Sequence, residues 1–92
     1  MAANNAKVYV EVISVTKPDG LMLPRALVWE DLQKYKIDMV SQIKQAAAMK
    51  AGGQGDRYTI WVNGQQSYLF FERNGSIAGN NIGRWFVERK YC

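Results

Sequence analysis

Residues 57–72 read RYTIWVNGQQSYLFFE, two alternating runs of bulky residues joined by Asn63-Gly64. Asn and Gly both accept positive φ, so the pair suits a two-residue type I′ turn whose twist matches the strands beside it. Strands are therefore predicted at 57–62 and 65–72, closed into one hairpin. Tyr58, Ile60, Val62, Leu69 and Phe71 would share one face. Arg57, Thr59, Trp61, Tyr68 and Phe70 would share the other. A sheet with a single dry face would leave Trp61, Tyr68 and Phe70 in water. The second face needs cover from neighbouring strands, a helix or a partner.

The rest of the chain supplies the neighbours. Residues 7–15, KVYVEVISV, alternate and are rich in β-branched side chains, which reads as a strand. Lys17-Pro18-Asp19-Gly20 predicts a turn: Pro18 presets φ, Asp19 can bond its own backbone, and Gly20 accepts positive φ. An extended run resumes at 21–23 and continues as a second strand over 25–29. Pro24 between them belongs at an edge or bulge, since it has no N–H for a ladder. The stretch 30–49 carries two periods. Tyr35, Ile37 and Met39 alternate as in a strand, whereas Val40, Ile43 and Ala47 share a helical face and Gly52-Gly53 would make a helix exit. Residues 73–83 are rich in Asn and Gly and read as a loop with Ile77 or Ile82 tucked in. A last strand is expected at 84–90.

The expected fold is mainly β. It is a small antiparallel meander or partly open SH3-like barrel of five or six strands, with one short helix near 40–49 as the open alternative. At 92 residues the chain holds one domain. Residues 1–6 read as a flexible leader and 7–91 as the domain. The expected core is Val8, Val10, Val12, Val28, Ile37, Ile60, Val62, Leu69, Phe71, Trp85 and Val87.

Several functions are disfavoured by residues the chain lacks. There is no histidine and one cysteine, Cys92, so zinc sets, iron–sulfur clusters and histidine bases have no ligands. No catalytic residue, metal or cofactor is expected, and the chain reads as a non-enzyme. Glu30-Asp31, the one adjacent acidic pair, suits a solvated turn. Gly52-Gly53-Gln54-Gly55 lacks the Lys-Ser/Thr ending of a phosphate loop and precedes a strand, so it reads as a connection. No apolar run approaches membrane-spanning length. With no secretory signal at its start and no disulfide, the chain is expected to be cytoplasmic.

The net charge is +4, and all of it arises after Ile43. Arg57, Arg73, Arg84, Arg89 and Lys90 lie on or beside strands that also carry Trp61, Tyr68, Phe70, Trp85 and Phe86. Small β barrels hold single-stranded DNA or RNA with such sets, bases on rings and phosphates on cations. The candidate contacts are Arg57, Trp61, Tyr68, Phe70, Arg73, Arg84, Arg89 and Lys90. The plainer reading makes the rings core and the cations their solvated rim. A protein partner or self-association is the rival, because interfaces favour the same residues.

The runs PRALVWED, YKID, KAGGQGDRYTIWVNGQQSYLFFE and GRWFVE resemble a family of small uncharacterised proteins. These are encoded on conjugative transposons and related mobile elements of Gram-positive gut bacteria. The likeness covers most of residues 8–90. Relatives carry Asp-Gly where this chain has Asp31-Leu32, which weakens the tight turn at 30–34. This chain also has a longer loop before Arg84. The resemblance implies a cytoplasmic mobile-element protein acting in maintenance, DNA transactions or regulation. It leans residues 35–45 toward strand. The family has no established activity, so no catalytic residue carries over.

Overall fold

Ile37 and Asp38 join the two opposite edges of one sheet. The computed structural model describes residues 4–48, 54–73 and 83–91. Seven strands are present: β1 (Asn4–Thr16), β2 (Met22–Val28), β3 (Lys34–Lys36), β4 (Met39–Ala48), β5 (Gln54–Val62), β6 (Gln65–Arg73) and β7 (Gly83–Tyr91). They pair antiparallel in the order β3-β2-β1-β7-β6-β5-β4. Thus β3 and β4 are the sheet's outer strands, yet two residues separate them. The Ile37 N–H donates to the Arg25 carbonyl at 2.9 Å, and the Asp38 N–H donates to the Trp61 carbonyl at 2.8 Å. Adjacent residues therefore bond to opposite ends of the strand order. A flat sheet cannot do this. The sheet curls into a half-barrel, as twist and bulges allow.

β1 makes the curl continuous. Its first half pairs with β7 from Asn4↔Tyr91 to Val10↔Trp85, and its second half pairs with β2. The strand begins at Asn4, inside the segment read as a leader. At the far end the Lys17–Leu21 turn closes as expected. The Gly20 N–H donates to the Lys17 carbonyl at 2.8 Å, Gly20 has φ 92°, and Asp19 Oδ1 accepts the Leu21 N–H at 3.0 Å. Pro24 is buried beside a register shift between Ile13 and Ser14, so the bulge absorbs its missing donor.

The short helix near 40–49 is not present: Met39–Ala48 is a strand paired with β5. The helical spacing has a specific origin. Val40 pairs with Ile60 and Gln42 with Thr59, which leaves Ser41 as an extra residue. This bulge turns Val40 and Ile43 to the same face, three positions apart. A period of two with one insertion imitates the helical period. Gly52-Gly53, Lys50, Ile77, Ile82 and Cys92 lie outside the described residues.

Asn63 and Gly64 have φ 52° and 77°, the two left-handed residues of the predicted hairpin turn. Leu32 also adopts φ 65°. The turn forms regardless: the Leu32 N–H donates to the Trp29 carbonyl at 2.9 Å, and Asp31 Oδ1 accepts the Gln33 N–H at 2.9 Å. Leu32 is 85% exposed, so it gains little packing for this conformation. Relief of the left-handed strain is worth roughly 1–2 kcal/mol. The extra unfolded-state entropy of Gly takes back roughly 0.4–1 kcal/mol. Leu32→Gly is therefore expected to raise stability by up to about 1.6 kcal/mol, read as a higher denaturant midpoint at unchanged slope. A lower midpoint would refute the strain.

The inner face holds the main core: Leu27, Ile37, Tyr58, Ile60, Leu69, Phe71 and Trp85, flanked by Val10, Val12, Val40, Ile43, Val62 and Val87. Leu27 takes the place expected for Val28, because Leu27 pairs with Val12 on that face. The opposite face has its own buried pair, Phe70 and Phe86, stacked at 5.1 Å and 13°. Among the described residues there is no helix, so none is long and apolar enough to cross a membrane.

Candidate binding cleft

On the outer face one row crosses five strands in register: Lys44, Arg57, Phe70, Phe86 and Tyr9. Around it cations stand over rings. The Arg57 guanidinium sits 4.7 Å from the Tyr68 ring centre, Arg84 4.0 Å from Tyr9, and Lys7 Nζ 5.2 Å from Phe86. Tyr9 meets Phe86 edge-on at 5.8 Å. Long stems with charged tips thus help cover the second aromatic face without a further layer of strands.

Glu72 gathers three of these groups. It accepts from Lys7 Nζ at 2.6 Å, from the Tyr9 hydroxyl at 3.0 Å and from Arg84 at 3.3 Å. The Lys7 hydrogen bond, first of all, holds its carboxyl below the ordinary 4.5. Lys7 and Arg84 are thereby neutralised locally.

The eight residues singled out by sequence divide accordingly. Arg57, Trp61, Tyr68, Phe70 and Arg84 do share the outer face. Phe70 is buried, so its ring is packing rather than a free platform. Arg73 is on the opposite face, paired with Asp56 at 3.4 Å and 6.0 Å from the Phe71 ring centre. The side chains of Arg89 and Lys90 lie outside the described residues; their backbones pair with Ala6 and Asn5. Arg57 differs from the other cations. It is half-buried, its Nε is buried without a hydrogen-bond partner, and it forms no ion pair among the described residues. Trp61 Nε1 is likewise buried and unpartnered.

Arg57 stands at an opening that sequence reasoning missed. The β6–β7 ladder covers only Phe70↔Phe86 through Arg73↔Gly83. Beyond it the strands part. Residues 65–69 of β6 pair only with β5, and residues 87–91 of β7 pair only with β1. Two strand edges therefore face each other with no described strand between them. Below lies a cavity of about 810 Å³. Leu27, Ile60, Val62 and Val87 give it an apolar floor. Trp29, Tyr35, Tyr68, Phe70 and Arg57 form aromatic and cationic walls, and Asn63, Gln65, Ser67 and Glu88 supply polar groups. Its size falls within the roughly 300–1,000 Å³ of ligand sites. Tyr35 is itself anchored, its hydroxyl donating to Asp31 Oδ2 at 3.1 Å, which raises its pKa.

No short-range signal marks this cleft. It lies where the β6–β7 ladder stops at Phe70↔Phe86 while the other edge of β7 continues along β1, a pairing between residues some 80 positions apart. Among the described residues no three acids or cysteines gather as a metal site. No family model, no curated protein and no solved structure matches this chain.

Proposed function

We propose that this protein is a non-enzymatic binding module that takes an extended peptide of a protein partner as an added strand between β6 and β7. The observation that carries this reading is the parting of the two strands over an apolar cavity. Neither wall has a ladder partner on its cleft side among the described residues; such edges match a peptide backbone, and alternate side chains would enter the floor. Five residues of strand span about 17 Å. The resemblance to mobile-element proteins adds the setting, a cytoplasmic role in element maintenance, DNA transactions or regulation.

A second reading, single-stranded DNA or RNA, is favoured by Arg57 on the half-exposed Tyr68 ring with Lys44 beside it in register. One experiment addresses both. Peptides selected on the protein from a random heptapeptide library are expected to protect the cleft-facing amides of 65–69 and 87–91 from hydrogen exchange. The same peptides methylated on alternate backbone nitrogens should not bind. Unchanged exchange there, or full binding by methylated peptides, removes strand addition. A labelled oligonucleotide bound strongly at low salt and lost steeply at higher salt would put nucleic acid first, since each phosphate contact releases counterions.

A further inference from the structure

We infer that the cleft selects peptides carrying an aspartate or glutamate side chain, received by the Arg57 guanidinium. This rests on the strand-addition reading above and names its specificity. Three observations meet at Arg57. It lines the cavity. It is the one half-buried cation among the described side chains that has no acidic partner, whereas Lys7 is held by Glu72. Its Nε is buried and unsatisfied.

The guanidinium carries N–H donors besides the enclosed Nε, and a carboxylate takes them in charge-assisted bonds. The Arg57 Cζ stands 4.7 Å over the Tyr68 ring centre, so the ring takes one side of the guanidinium. The alternative anion, a phosphate of a nucleic acid, would satisfy Arg57 equally. It would leave the strand edges of β6 and β7 unpaired and place a charged backbone over Leu27, Ile60 and Val87. A peptide satisfies all three surfaces at once. Glu88, the one acid in the lining, belongs to the β7 wall. The bound acid is therefore placed on the β5–β6 wall with Arg57.

The random heptapeptide library selected on the full chain tests this. Enriched peptides are expected to carry Asp or Glu at one fixed position among alternating apolar residues. Synthesised with Asn or Gln there, they should bind about tenfold more weakly. On Arg57→Gln that exchange should make no difference, and Arg57→Lys should restore part of it. Thermal melts of both variants check that they fold. Enrichment without an acid preference, or an acid effect that persists in a folded Arg57→Gln, overturns the inference and leaves strand addition standing. No enrichment at all removes both. An oligonucleotide whose binding depends on Arg57, where no peptide is enriched, assigns the guanidinium to phosphate and overturns the peptide.

Discussion

Phe86→Ala is expected to destabilise the fold by about 3–5 kcal/mol, as much as truncating Trp85 beside it. The two rings point to opposite faces of β7, yet both are buried. Phe86 is fully enclosed, stacked on Phe70, met edge-on by Tyr9 and capped by Lys7. Removing it leaves a hole that neither Phe70 nor the Lys7 stem can fill from a fixed strand. A domain of this size is stable by roughly 5–15 kcal/mol, so the variant should unfold at a much lower denaturant concentration or fail to fold. Tyr68→Ala is the control on the same face. Tyr68 is 45% exposed, and its loss should lie below about 1 kcal/mol. Equilibrium denaturation of the three variants decides the matter. Near-equal losses at Phe86 and Tyr68 would show the outer aromatic face to be wet, and the two-faced core would be wrong.

Gly83→Ala is expected to cost about 1–3 kcal/mol although it adds one methyl group. A Cβ there would stand 2.6 Å from the Glu72 carbonyl oxygen and 2.6 Å from Phe71 Cζ. The first contact is backbone and cannot swing away, and the second is a ring of the core. Gly83 opens β7 opposite Arg73, at the closed end of a ladder only four pairs long. Pushing the strands apart here extends the parting that already exists at the other end. Amides across 83–86 should therefore lose hydrogen-exchange protection before those that join β5 to β6. Native stability and unchanged protection in this variant would show that the close approach is relaxed in solution.

Cover for the second aromatic face was a need visible in residues 57–72, and its source was not. Neighbouring strands, a helix or a partner could each supply it. Part of the cover comes from a neighbouring strand of the same sheet: Tyr9 and Lys7 arrive from β1 because Tyr9 pairs with Phe86 and Lys7 with Glu88. Nothing within β1 states that pairing. Tyr9 alternates with Val8 and Val10 as an ordinary outward residue. Likewise Glu72 is one acid in a hairpin until β1 and β7 bring it Lys7 and Arg84.

The candidate site followed the same division. Arg57, Tyr68, Phe70 and Arg84 on one face could be read from strand parity, whereas Arg73 fell on the other face beside Asp56 and Phe71. The cleft could not be read at all. Its walls come from β2, β3, β5, β6 and β7, and it opens where the β6–β7 ladder stops.

Local chemistry alone was sufficient for the Asn63-Gly64 hairpin, the Pro18–Gly20 turn, a break in regular pairing at Pro24 and the strand character of most segments. Positive φ, a missing N–H and alternation with period two act over a few residues. Tertiary structure alone decided that Met39–Ala48 is a strand, that Phe86 is core, and that β6 and β7 separate. Each of these depends on hydrogen bonds and packing between distant segments. A bulge shifts the face of every residue after it, so the local pattern carries a false period until the partner strand is known.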